Sequence, residues 1–255
     1  MRTVTATRYV TPLREGGSLP AVIEADDDGL YVLKFRGAGQ GPKALVAELV
    51  VGELGRALGL PVPEIVLVGL DPELARTEPD PEIQELIRAS AGLNLALDYL
   101  PGAVNFDPVA DRPDGGFASS VVWFDAFTSN VDRSYRNTNL MTWHGQPWLI
   151  DHGAALYFHH GWDGSTEAAA SRFPMVREHV LLPLADALEQ ADERLASQVT
   201  PELLQSILAL VPDTWLSGPD AWADPATQRR AYVDFLLQRL AQRRGFVEEA
   251  LHARA

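Results

Sequence analysis

The sequence predicts an α+β chain folded as two lobes, and two observations predict it. Up to about residue 100, β-prone runs surround a single helical segment. From about residue 117 the pattern changes to helices with one short hairpin. The first lobe is expected over 1–100, as an antiparallel sheet with one helix. A hinge near 98–104 leads to the second lobe, mainly helical, over 101–255.

Each element has its own signal. T-A-T-R-Y-V-T-P-L, A-V-I-E-A and L-Y-V-L-K-F read as three strands. They are separated by the turn R-E-G-G-S and by D-D-D-G, where Gly29 is expected to supply a positive φ. Residues 43–59 are helical, with Leu45, Leu49, Leu54 and Leu58 near one face and Gly59 at the stop. Pro61 and Pro63 lead into the strand P-E-I-V-L-V-G-L. An acidic stretch over 71–90 is expected to hold a loop and a short helix, followed by the strand N-L-A-L-D-Y-L over 94–100. F-A-S-S-V-V-W-F-D-A-F-T-S-N reads as a buried helix, and N-L-M-T-W-H-G-Q-P-W-L-I-D as two strands around a His144-Gly145 turn. Residues 174–196, 200–211 and 224–253 are expected to be helical, with Pro201 and Pro225 in first turns.

Composition narrows the function. The 255 residues are 46% hydrophobic and 22% charged, as in an ordinary globular protein. No window carries the run of about 18–20 apolar residues that a membrane-spanning helix needs, and M-R-T-V-T-A-T-R-Y-V lacks the apolar segment of a secretory signal. Cysteine is absent, which excludes disulfides, thiolate metal sites and cysteine nucleophiles and fits a cytoplasmic protein. A net charge of −14 argues against general nucleic-acid binding.

The chemistry is concentrated in V-D-R-S-Y-R-N-T-N-L-M (131–141) and W-L-I-D-H-G (148–153). Phosphoryl transfer asks for a carboxylate to orient the attacking hydroxyl and for oxygen ligands to hold magnesium against the phosphates. Asp132, with Asn137 five residues on, would supply the first and part of the second. Asp151, a hairpin later, would be the main metal ligand. Taken alone, D-x-x-x-x-N reads as ordinary turn residues; the later Asp151 and an upstream lysine give it weight. That lysine is Lys34 in L-Y-V-L-K-F, which needs a carboxylate partner if its strand is central. Glu48 and Glu53 are available on the following helix.

With these residues assembled, the chain resembles the HipA-like kinases, relatives of the protein-kinase and phosphatidylinositol-kinase fold, over residues 5–195. A-E-L-V-V-G-E-L-G-R-A-L-G-L-P-V-P (47–63) is similar to the family's glutamate-bearing helix, and this phasing selects Glu48 as the partner of Lys34. The resemblance implies a two-lobed protein-kinase-like fold, ATP and Mg2+ as cofactors, and Asp132, Lys34 and Glu48 as catalytic residues. It implies Asn137 and Asp151 as metal ligands, and a hinge holding adenine at Leu97, Asp98, Tyr99 and Leu100. For the phosphate loop there are two candidates, R-E-G-G-S and R-G-A-G-Q-G-P-K (36–43). Strand order favours the first, with Gly16, Gly17 and Ser18. D-H-G at 151–153 is similar to the D-F-G of protein kinases, and His152 is given no catalytic role.

The expected activity is transfer of the ATP γ-phosphoryl group to a hydroxyl of a protein serine or threonine or of a small molecule, with no membrane partner. A nucleotide-binding pseudokinase and a kinase-fold nucleotidyltransferase are the alternatives. Arg133 and Arg136 are open between substrate contact and solvation. His159, His160 and Asp163 lack the converging third ligand that a metal site needs.

Overall fold

The computed structural model describes residues 1–13, 19–39, 41–218 and 221–255. R-E-G-G-S, and with it Gly16, Gly17 and Ser18, lies outside the described residues, as does Gln40 of the second glycine-rich candidate.

Strands β1 (Thr3–Pro12), β2 (Ala21–Ala25) and β3 (Leu30–Lys34) pair antiparallel in order. The β2–β3 turn differs from expectation in one detail. Its left-handed residue is Asp28, at φ 61, rather than Gly29. Aspartate tolerates that region because its short polar side chain bonds locally. Glycine is required at 29 for space, since a Cβ there would meet the Tyr31 ring at 2.7 Å.

Helix α1 (Pro42–Ala57) starts on a first-turn proline. It ends where Gly59, at φ 79, lets the Leu60 N–H reach the Gly55 carbonyl at 2.9 Å. Strand β4 (Ile65–Leu70) follows. Next come a 3-10 turn (Pro72–Thr77), helix α2 (Pro81–Ala89, capped by Asp80) and strand β5 (Gly92–Asp98).

The five strands close into a barrel in the order β1-β2-β3-β5-β4. Four pairings are antiparallel, as expected; the fifth, Thr3–Thr5 against Leu67–Gly69, is parallel and closes the sheet. Two register shifts in β1, at Ala6/Arg8 and Tyr9/Thr11, account for the closure, because bulges bend and twist a long strand enough to serve two neighbours.

Side-chain alternation along β4 and β5 separates two apolar cores. Val66, Val68 and Ala96 face the barrel interior with Val4, Ile23 and Leu33. Ile65, Leu95 and Leu97 face α1 and belong to a larger core with the C-terminal helices. Helix α1 is therefore buried on all sides from Leu45 to Gly52 rather than along one stripe.

Helix α3 (Gly115–Thr128) is likewise buried from Ala118 onward and ends at a left-handed Ser129. A small sheet of β6 (Val104–Asn105), β7 (Leu140–Trp143) and β8 (Gln146–Leu149) lies beside it in sequence. The β7–β8 turn carries His144 and Gly145 at φ 48 and 73, the two positive values that a tight hairpin turn favours. The continuous helix expected over 174–196 is instead two 3-10 turns, Pro174–Glu178 and Leu182–Leu184, before α4 (Leu188–Ala196). Pro183 lacks the N–H a continuing helix would use. Helix α5 (Pro201–Leu208) fits expectation, whereas 224–253 divides into α6 (Pro225–Ala241) and α7 (Arg244–Arg254). Among the described residues no helix is long and apolar enough to cross a membrane.

Candidate active site

Lys34 closes β3, which lies between β2 and β5, so it is on a central strand and not an edge. Its side chain is 12% exposed, and its ammonium lies 2.8 Å from Asp151 Oδ1. Asp151 follows β8 and has a left-handed backbone at φ 54, an uncommon conformation for a non-glycine residue. Glu48, on α1, is 1% exposed. Its carboxylate accepts the His152 backbone N–H, and its Oε1 lies 3.6 Å from His152 Nδ1.

The Lys34–Glu48 pairing expected from the helix phasing is thus rearranged. The direct ion pair of Lys34 is with Asp151, while Glu48 is held against residue 152 and acts on Lys34 from farther away. Burial pushes the Lys34 pKa down, but the charges of Glu48, Asp151 and Asp132 outweigh it and hold the ammonium above its ordinary range. For Glu48 burial acts upward, and Lys34 followed by His152 brings the carboxyl down to about 2. His152 is fully buried and stacks edge-on against Phe124, with ring centroids 6.4 Å apart.

Asp132 and Asn137 lie on the loop between α3 and β7. Asn137 Nδ2 donates to Asp132 Oδ2 at 2.8 Å, and Asn130 Oδ1 accepts the Asp132 N–H at 3.2 Å. A residue that sequence reasoning missed completes this loop. Asn139, at φ 46, donates from Nδ2 to the Asp132 carbonyl and, at 3.3 Å, to Asp132 Oδ2. Its own carbonyl accepts the Ile150 N–H at 3.1 Å. The β7–β8 register of Leu140 opposite Leu149 continues this pairing, so the loop of Asn137 is fastened beside Asp151.

Arg133 has neither of the roles left open for it. It is 2% exposed and donates from Nε to Asp125 Oδ2 at 2.5 Å, and from Nη1 to the Asn139 carbonyl. Asp125, fully buried on α3, also accepts from Asn130 Nδ2 and bonds His179 Nε2, each at 3.0 Å. Burial opposes its charge, but Arg133, then His179, hold its carboxyl well below the usual range. The signal for this cluster was present: Asp125 is a lone carboxylate inside the apolar run V-V-W-F-D-A-F, and buried charges require partners. Arg136 is exposed.

At the expected hinge, Leu97 is buried within β5. The Asp98 N–H donates to the Glu64 carbonyl at 2.8 Å and the Tyr99 N–H to the Leu30 carbonyl at 3.0 Å, so both donors are used within the fold. The Leu100 carbonyl accepts the Ala103 N–H at 3.1 Å. Lys43 of the second glycine-rich candidate lies in the first turn of α1, its ammonium on the His159 carbonyl at 2.7 Å.

The donor set suits Mg2+ shared with phosphates. Among the described residues no group of three or more histidine, aspartate or glutamate side chains gathers into a closed cage. Magnesium, however, is commonly held by one or two carboxylates together with phosphate oxygens. Because Asn137 Nδ2 donates to Asp132, its Oδ1 is left as the acceptor end of the amide. Asp151 has a second carboxylate oxygen beyond the one facing Lys34.

The family model for HipA-like kinases matches residues 7–249. The chain belongs to the HipA-like kinase family. Two solved structures place this HipA-like kinase among protein-kinase-like folds. The Helicobacter pylori proinflammatory kinase CtkA is 13% identical, with 98% of this chain and 99% of that chain covered and a TM-score of 0.60. A Golgi casein kinase with Mn and ADP bound is 12% identical, covering 97% of this chain and 74% of that one, at a TM-score of 0.53. At such identity the likeness is one of fold. No curated protein matches the sequence.

Proposed function

We propose that this HipA-like kinase transfers the γ-phosphoryl group of ATP to a hydroxyl, on a protein serine or threonine or on a small molecule. Residues 1–100 would form the nucleotide lobe and 101–255 the lobe of the catalytic loop. The observation that carries the reading is the meeting of Lys34 with Asp151 at 2.8 Å, from opposite halves of the chain, with the charges of Glu48 and Asp132 also acting on Lys34. In this reading Asp132 orients the acceptor hydroxyl and receives its proton, and Lys34 positions the phosphates. Glu48 keeps the buried ammonium charged. Asn137 Oδ1 and Asp151 would hold Mg2+, which neutralises phosphate charge when bound. The adenine would sit at the hinge of Leu97, Asp98, Tyr99 and Leu100, and Gly16, Gly17 and Ser18 would cover the phosphates. The Mn and ADP of the Golgi casein kinase structure support the choice of cofactors.

Incubation with γ-labelled and, separately, α-labelled ATP tests the reading. Label appearing on an acceptor from the γ position alone is the expected result. Transfer from the α position would mean nucleotidyl transfer, and no transfer from either would mean a nucleotide-binding module without turnover.

A further inference from the structure

Asn139 sits where the loop of Asp132 becomes strand β7, immediately before Leu140. It is 7% exposed, and its backbone is left-handed, a region that asparagine enters more readily than most side-chain-bearing residues. Its carbonyl and its amide are both engaged. The carbonyl accepts the Ile150 N–H at 3.1 Å and the Arg133 guanidinium. The amide Nδ2 reaches back to the Asp132 carbonyl and, at 3.3 Å, to Asp132 Oδ2. Turning the amide over would set its oxygen against two acceptors, so the donor end is the one that faces Asp132. Ile150, at the end of the hairpin, is thus the fixed point from which Asn139 holds the aspartate of the loop.

The result is an asymmetric Asp132 carboxylate. Oδ2 accepts from Asn137 Nδ2 at 2.8 Å as well as from Asn139 Nδ2. Among the described residues no hydrogen bond reaches Oδ1. Two amide donors on one oxygen resist rotation of the carboxylate and leave the other oxygen facing a set direction. A reacting group held in one geometry is worth far more than one that samples several.

We propose that Asn139 is a positioning residue, holding Asp132 Oδ2 so that Oδ1 is the oxygen presented to the acceptor hydroxyl. The proposal rests on the kinase reading of the site. In the step it serves, the acceptor O–H bond breaks and its proton passes to Asp132 Oδ1. The acceptor oxygen bonds the γ-phosphorus of ATP. The bond from that phosphorus to the β,γ-bridging oxygen breaks, and its electron pair leaves on ADP. Asn139 acts through Asp132 rather than on the reacting atoms.

The test uses the full chain with γ-labelled ATP, magnesium and casein, counting labelled casein and labelled inorganic phosphate together. Asn139→Gly keeps the left-handed backbone and the carbonyl contacts but lacks the amide. Asn139→Asp keeps the size and lacks the donor. Both are expected to lower kcat by up to about 100-fold, the scale of a misplaced reacting group. KM for ATP and Tm should stay close to the wild-type values. The double variant Asp132→Ala, Asn139→Gly should be no slower than Asp132→Ala alone, because nothing is left to position. Wild-type kcat in both Asn139 variants would overturn the proposal. So would a loss of kcat that tracks a lowered Tm in both, or a double variant slowed by the full Asn139→Gly factor. These outcomes leave the kinase reading standing, whereas a wild-type chain that releases no label from ATP removes both.

Discussion

His179 donates from Nε2 to Asp125 Oδ2 at 3.0 Å, and its tautomer is set by the Leu181 N–H, which donates to Nδ1 at 3.0 Å. Through Asp125 this histidine shares a carboxylate with Arg133, whose guanidinium also holds the Asn139 carbonyl. The loop of Asp132 is thereby anchored to a buried charge cluster. Arg133→Met would leave Asp125 underpaired in the core and is expected to destabilise the chain by about 3–5 kcal/mol. The combined Asp125→Leu, Arg133→Met variant should lose much less than the sum of the single changes. Chemical denaturation measures both, and a wild-type midpoint for Arg133→Met would contradict the anchoring role.

The two carboxylates of the site should separate by function. Asp132→Ala is expected to lower kcat by about 10²–10⁴-fold, the usual contribution of a positioned base. Nucleotide affinity should remain nearly intact. Asp151→Ala should lower turnover and also weaken binding of magnesium–nucleotide. Turnover assays paired with nucleotide titration distinguish them, and an Asp132→Ala enzyme as fast as the wild type removes the assigned role.

Acid should loosen the fold through Glu48. Its carboxyl sits at about 2 in the folded chain against an ordinary 4.5. A lowered value means a contribution present above the ordinary pKa and lost as pH falls from 4.5 toward about 2. Asp125 is shifted in the same direction. Urea denaturation across a pH series should show stability falling over that interval, and Glu48→Gln should flatten the slope. Lys34 acts oppositely: its contribution is present below its ordinary 10.5 and is lost as alkali passes its raised value.

Gly52 of α1 leaves no room for a methyl group, since a Cβ would meet Ile65 Cδ1 at 2.4 Å. Gly52→Ala should force that side chain or the helix to shift, at a cost of about 1–3 kcal/mol. Because Glu48 lies one turn away, turnover should fall along with thermal stability. A variant with wild-type Tm and turnover would show that the Ile65 rotamer absorbs the change.

Much of the fold and the site was legible because the signals are local. Gly59 stops α1, His144-Gly145 marks the hairpin, and the spacing of Asp132, Asn137 and Asp151 survives as a physical neighbourhood. What escaped depends on contacts distant in sequence. The parallel closure of β1 on β4 comes from bulges that no periodicity reveals. Lys34 meets an Asp151 whose backbone is left-handed, and periodicity carries no information about one dihedral angle. Asn139 carries no sequence signal because its role lies in its carbonyl and amide together, and a short polar residue in a loop has many uses. The sequence leaves Arg133 open because burial of its guanidinium shows only once Asp125, itself bonded to His179, is seen to meet it.

The burial of α1 has a temporal corollary. Its outer flank packs against α5 and the turn at Asp213–Trp215, residues made well over a hundred positions after it. A growing polypeptide emerging from the ribosome can close its barrel early, but one flank of α1 stays uncovered until those later residues have been made. The surface of α1 would therefore be completed well after the barrel has closed.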